Sequence, residues 1–130
     1  MIGLLFRIRV DVHVHPQYVE LVCSGKFSRS EAYRIGELTF HEAAVFGRRS
    51  ALIDVRDVIG RIPTILDRFD FGVHIASLHL EHKPRVRLAL LGYEPMIHPD
   101  RFGEIVARNR GADARVFTIG ADAIDWLTAV

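Results

Sequence analysis

Residues 51–58 read "ALIDVRDV". Ala51, Leu52 and Ile53 run without alternation into Asp54, Val55, Arg56 and Asp57. A continuous short apolar run is the pattern of a strand covered on both faces, because a half-exposed strand alternates apolar and polar residues. Residues 85–92, "RVRLALLG", repeat the pattern. Between the two lies a segment long enough for a helix. Two covered strands joined through a helix imply a parallel pairing, and so an α/β domain.

Reading outward, residues 4–12, "LLFRIRVDV", alternate in part: Phe6, Ile8, Val10 and Val12 share one face, and Arg7, Arg9 and Asp11 the other. "HPQ" (15–17) breaks this strand, since proline cannot donate to a ladder. "YVELVCSG" follows as a second strand, so the two form a hairpin. "SRSE" (28–31) has capping-box spacing and predicts a helix to about Arg48, with Ala32, Ile35, Thr39, Ala43 and Phe46 on one face. Pro63 suits the first turn of a helix over 63–82. "HPDRFGEIVARNRG" predicts a third helix from Pro99, with Gly111 past its end. "ARVFT" is a short strand, and "ADAIDWLTAV" a last helix with Ala123, Trp126, Leu127 and Val130 inward. The order is β-β-α-β-α-β-α-β-α: one domain over residues 1–130 with a mixed five-stranded sheet, mostly parallel, to which the hairpin adds an antiparallel edge.

The composition excludes several classes. The net charge is +1 and no block of Lys and Arg occurs, so nothing points to nucleic acid. The opening "MIGLLF" stops at Arg7, short of the apolar core of a secretory signal and with its charges in the wrong order. No apolar stretch reaches membrane-spanning length. These features predict a cytoplasmic protein. Cys23 is a lone cysteine, so there is no internal disulfide and no cysteine zinc cluster, and its apolar neighbours predict a small buried side chain. "HVH" (His13, His15) and "HLEH" (His79, His82) each pair two imidazoles, but no further ligand is suitably spaced, so no metal site is expected. There is no G-x-S-x-G elbow, no Walker loop and no G-x-G-x-x-G. No catalytic set and no cofactor is predicted.

Two places carry candidate function. Ligands of open α/β sheets gather beyond the carboxyl ends of the strands. Residues 54–61, 92–100 and 118–122 converge there, with helix starts near Pro63, Pro99 and Ala121 that attract anions. The candidate ligand-binding residues are Asp54, Arg56, Asp57, Arg61, Thr64, Tyr93 and Arg101, with Met96 beside Tyr93 in a two-proline loop. The competing reading is structural: Asp54 and Arg56 pair and hold the strand end. The second place is the 63–82 helix. Ile62, Leu66, Phe69, Val73, Ala76 and Leu80 form one apolar stripe, taken as the core face, and Phe71, Ile75 and Leu78 a second, nearly opposite. A helix lying on a sheet needs one apolar face, so the second stripe is either covered within the chain or an interface for a partner or a second copy.

The element order, the charged exit "LIDVRDV" and the helix opening near "PT" resemble the STAS domain of anti-sigma-factor antagonists, the SpoIIAA-like proteins. The chain is also similar to bacterial STAS-like proteins grouped with lipid-binding CRAL-TRIO domains, most specifically over "DRFGEIVARNRGADARVFTIGADAIDWL" (100–127). The resemblance covers most of the chain, the first 30 residues by pattern only. It implies a small mixed-sheet domain that docks protein partners around the 63–82 helix. In the sporulation-type antagonists a serine in a D-S-S-G motif at this helix is phosphorylated; here the stretch is "GRIPTIL", with Thr64 the nearest hydroxyl and the glycine missing. The functional expectation is a non-enzymatic interaction module, dimerising or docking a protein through Phe71, Ile75 and Leu78. The alternative is a carrier of a small anionic or lipid-like ligand at the strand ends.

Overall fold

The computed structural model describes residues 7–129. Strands β1 (Arg9–Val14) and β2 (Val19–Lys26) form the expected hairpin, antiparallel, with Val10 opposite Cys23 and Val12 opposite Leu21. Helix α1 (Arg29–Val45), β3 (Ser50–Ile59), α2 (Ile65–Glu81), β4 (Arg87–Leu91), α3 (Phe102–Asn109), β5 (Ala114–Phe117) and α4 (Gly120–Thr128) follow. The strands lie in the order β1-β2-β3-β4-β5, and β2 to β5 are parallel. The mixed five-stranded α/β sheet is as the sequence predicts. The part of the first strand placed before residue 7, with Phe6, and Val130 lie outside the described residues.

Each parallel strand pairs with the next in sequence. Right-handed crossovers then carry α1, α2 and α3 to one face of the sheet. The main core forms there from Leu21, Cys23, Ile35, Phe40, Ile53 and Ile75, among others. On the opposite face α4 lies on β3, β4 and β5, and Ala123 and Leu127 close a smaller core with Tyr18, Leu52, Ala89 and Leu91. Trp126 packs at its margin.

Local chemistry explains the ends of the elements. Ser28 caps α1 by accepting from the Glu31 amide at 3.2 Å. Glu31 does not complete a capping box. Its carboxylate instead accepts from the Ile8 amide (2.6 Å) and from Arg34 (2.9 Å), tying α1 to the start of the sheet. Ile35, Thr39 and Ala43 are buried as expected, but α1 ends at Val45 and Phe46 is exposed; Gly36 and Phe40 complete the face instead. Helix α3 starts at Phe102, later than Pro99, because Arg101 adopts left-handed backbone at φ 52° and cannot be a helical residue.

The core face of α2 differs from the sequence reading: Ala76 is buried as expected, but the second stripe is buried with it and the ends of the first are exposed. Ile75 and Leu78 are 2% and 7% exposed and belong to the main core, with Phe71 packed against it. Leu66 and Leu80, assigned to the core stripe, are 59% and 72% exposed. The reason is the α2–α3 contact. A β-carbon added to Gly72 would lie 2.7 Å from the Gly103 carbonyl oxygen and 3.0 Å from Val106. Helix α3 therefore seats on the Gly72 side of α2, which turns Phe71, Ile75 and Ala76 to the sheet. Periodicity counts apolar residues and is blind to a glycine that decides which side is approached. Phe71, Ile75 and Leu78 consequently offer no interface.

Candidate functional site

The "DVRD" motif does not end its strand: β3 continues through it to Ile59. Val22 faces Asp54 and Ser24 faces Asp57, so two residues of β3 oppose one of β2. This β-bulge changes the phase of the strand. Val58, not Asp57, reaches the main core, and Asp57 is exposed. The bulge is held by Asp54, 5% exposed, whose Oδ1 accepts from the Arg56 backbone amide at 3.0 Å. Both carboxylate oxygens also accept from the Arg56 guanidinium, Nε at 3.0 Å and Nη2 at 2.8 Å. This hydrogen bonding raises Arg56 above the usual guanidinium range. The structural alternative raised by the sequence is the arrangement seen.

Arg56 and Tyr93 line an open groove of about 340 Å³ with Gly60, Glu94 and Pro95. Gly120 approaches Arg56, and the Gly92 amide donates to the Phe117 carbonyl at 3.0 Å, so the three strand-end segments do converge. The other predicted residues separate from this groove. Thr64 caps α2 in a full capping box: its hydroxyl accepts from the Asp67 amide (3.1 Å), and Asp67 accepts from the Thr64 amide (2.8 Å). Asp67 is 6% exposed and also receives Arg61 at 2.6 Å and Arg29 at 3.3 Å. The hydrogen bond from Arg61, then those at Thr64, hold Asp67 well below the usual carboxylate range despite burial. Arg61 is spent on this pair, and the Thr64 hydroxyl on the helix start. The sequence reading missed Asp67 as a hub, although the Thr-x-x-Asp spacing of residues 64–67 is itself a capping signal.

On the helix-covered face, α2, α3 and the sheet bound a cavity of about 140 Å³ that is open on one side, lined by Ile53, Val55, Leu90, Phe71, Ile75 and Met96 among others. Arg68 sits at its edge, donating to the carbonyls of Met96 (2.9 Å) and Pro95 (3.1 Å), and Arg101 lines it as well. Of the seven predicted ligand residues only Arg101 belongs to this cavity.

The histidines act locally. His15 stacks on Tyr18 at 4.4 Å and bonds Glu20 at 2.8 Å, while His79 and His82 both pack on Phe40. Among the described residues no group of three or more His, Cys, Asp or Glu is placed to hold a metal. Burial pushes the Cys23 thiol up to about 12.

The outer surface of α2 is apolar at its amino-terminal end. Ile62, Ile65 and Leu66 are 55%, 73% and 59% exposed. Phe69 continues the surface toward α3, 6.5 Å from the Phe102 ring, with the Arg110 guanidinium 5.3 Å from its centroid.

This architecture recurs among solved structures. An anti-sigma factor antagonist from Mycobacterium paratuberculosis superposes with a TM-score of 0.60 at 12% identity, over 92% of this chain and 93% of that one. An uncharacterized DUF3478-family protein with a SpoIIAA-like fold, from Shewanella loihica PV-4, superposes at 0.51 with 20% identity, over 93% of each chain. The fold is SpoIIAA-like. The STAS-like resemblance of the sequence therefore extends to the architecture, at identities that speak to fold alone. No family model and no curated relative matches the chain. No helix among the described residues is long and apolar enough to cross a membrane.

Proposed function

We propose that this chain is a non-enzymatic regulatory module of STAS type that docks another protein, or a second copy of itself, through the exposed amino-terminal flank of α2. The observation that carries the reading is the group Ile62, in the loop before α2, with Ile65 and Leu66 of its first turn, each more than half exposed. Full burial of one such side chain contributes about 1.5–3 kcal/mol, and contiguous exposure of this kind marks interaction surfaces. The naming of one structural neighbour as an anti-sigma factor antagonist supports it. Ile62 and Leu66 come from the stripe that the sequence reading had placed inward, and Ile65 from neither stripe. Sedimentation velocity of the wild type and of Leu66→Asp, with thermal melting of both, tests self-docking. A wild-type dimer that becomes monomeric at unchanged melting temperature supports it; a dimer that survives Leu66→Asp and Ile65→Asp together refutes it. For a protein partner, a photo-crosslinker at position 66 in the native host should give one discrete adduct that Ile65→Asp removes. A monomer with no such adduct ends the docking reading.

A second reading, retention of a small apolar or anionic ligand, is favoured by a separate observation: the apolar cavity beneath α2. Loss of a bound probe when that cavity is filled by Ala107→Leu tests it.

A further inference from the structure

The cavity beneath α2 is apolar inside and cationic at its rim. Its walls come from Ile53, Val55 and Leu90 of the sheet and from Phe71 and Ile75 of α2. It opens to the surface, because exposed Arg29, His98 and Arg101 are among the residues that line it.

Charge at this rim is unbalanced. The lining holds Arg29, Arg68 and Arg101 against Asp67 and Glu104; Arg115 also lines it, but its guanidinium lies over the Trp126 ring (5.5 Å) on the other face of the sheet. Asp67 takes Arg61, Arg29 and the Thr64 amide, Arg29 also pairs with Asp70 at 3.2 Å, and Glu104 accepts from the Val116 amide at 2.8 Å, so the rim cations with no carboxylate partner among the described residues are Arg68 and Arg101. Arg68 has no carboxylate within ion-pair distance among the described residues, and its donors reach only the carbonyls of Pro95 and Met96. Burial lowers Arg68 from the usual guanidinium range. A partly desolvated cation without a counter-charge is costly unless an anion arrives.

Arg101 adds an independent sign. Its backbone is left-handed, φ 52° and ψ 40°, and it caps α3 without any side-chain hydrogen bond. A non-glycine residue in this region is strained, and such strain concentrates at ligand sites. Glycine would remove the strain, and the side chain that occupies the position instead is a cation on the cavity rim.

We propose that this cavity binds a single-chain amphiphile, with a short alkyl tail among Phe71, Ile75 and Leu90 and an anionic carboxylate or phosphate head at Arg68 and Arg101. The proposal rests on the ligand-carrying reading above and gives it a chemical class. A dry apolar cavity of comparable volume accepts a benzene ring, so the enclosed tail is about six carbons. The head comes either from a free amphiphile or from a membrane lipid presenting the same group.

Titration calorimetry of the full chain with hexanoate, hexyl phosphate and uncharged 1-hexanol tests the class. The two anions should bind more tightly than hexanol. Arg101→Gly should weaken the anions about tenfold, the loss of one charge-assisted contact, leave hexanol unchanged, and raise the melting temperature by relieving the strained φ. Ala107→Leu should abolish all three. Hexanol binding as tightly as the anions overturns the amphiphile and leaves the ligand reading standing. Failure of all three to bind the folded wild type overturns both. Vesicles of phosphatidylglycerol and of phosphatidylcholine separate the sources. Hexanoate binding with retention on phosphatidylglycerol alone supports a membrane lipid, and hexanoate binding without retention supports a free amphiphile. Retention without hexanoate binding is surface adsorption and overturns the cavity site.

Discussion

Removing Asp54 separates a strand-holding role from a ligand-binding one. In Asp54→Ala the Arg56 backbone amide at the bulge loses its acceptor, which costs about 1–3 kcal/mol for a donor left unpaired. The ion pair adds less. The Arg56 side chain is 39% exposed, so water replaces the carboxylate around the guanidinium and solvent screening leaves about 0–1 kcal/mol. The sum is about 1–4 kcal/mol. For a domain of this length that lowers Tm by about 4 °C per kcal/mol, or roughly 4–16 °C. Arg56→Ala should cost at least as much, because it strands a carboxylate that is 5% exposed, with one backbone hydrogen bond left. The double variant should cost less than the sum of the singles, with a coupling of at least about 1 kcal/mol, since removing the second partner leaves no orphaned charge. Urea unfolding of the four proteins, followed by circular dichroism, measures each quantity. Single variants within about 0.5 kcal/mol of the wild type and strict additivity would refute the reasoning and return the pair to the pool of candidate binding groups.

Two further outcomes probe the packing of α2. Gly72→Ala should destabilise by up to about 2 kcal/mol: crowding of the Gly103 carbonyl at 2.7 Å costs about 1–3 kcal/mol, offset by about 1 kcal/mol of helix propensity, and a stabilised variant in urea unfolding would mean the two helices have room. His79 is 4% exposed and accepts from the Asp113 amide at 3.2 Å; burial, then the Arg85 cation, hold its pKa below 6.5, although Asp113 opposes them, and His82 is a further neighbour that lowers it. The fold therefore favours neutral His79, so its stabilisation is complete above pH 6.5 and declines as pH falls below that value, by at most about 1.4 kcal/mol per pH unit. Urea midpoints between pH 7.5 and 5 should fall in the wild type and flatten in His79→Gln; identical slopes would exclude His79 as the source.

The uninterrupted apolar runs at 51–53 and 88–91, the alternation before Pro16 and the capping serine at 28 determined the sheet and the element order. These signals are local: each depends on the spacing or chemistry of a few neighbouring residues, so the chain carries them before it folds. Cys23 was legible for the same reason, as a small apolar residue inside a strand. Three features were decided only in three dimensions. The bulge at Val55 and Arg56 arises from register against β2, a partner some 30 residues away, and it turned an apparent strand exit into a paired structural element. The choice between the apolar stripes of α2 was made by Gly72 meeting Gly103, a contact that no periodicity within one helix contains. The cavity is a volume left between α2, α3 and the sheet, and space between elements has no sequence pattern of its own. Side-chain spacing along one element is written in the chain; which faces meet, and how much room they leave, follows from how the elements pack.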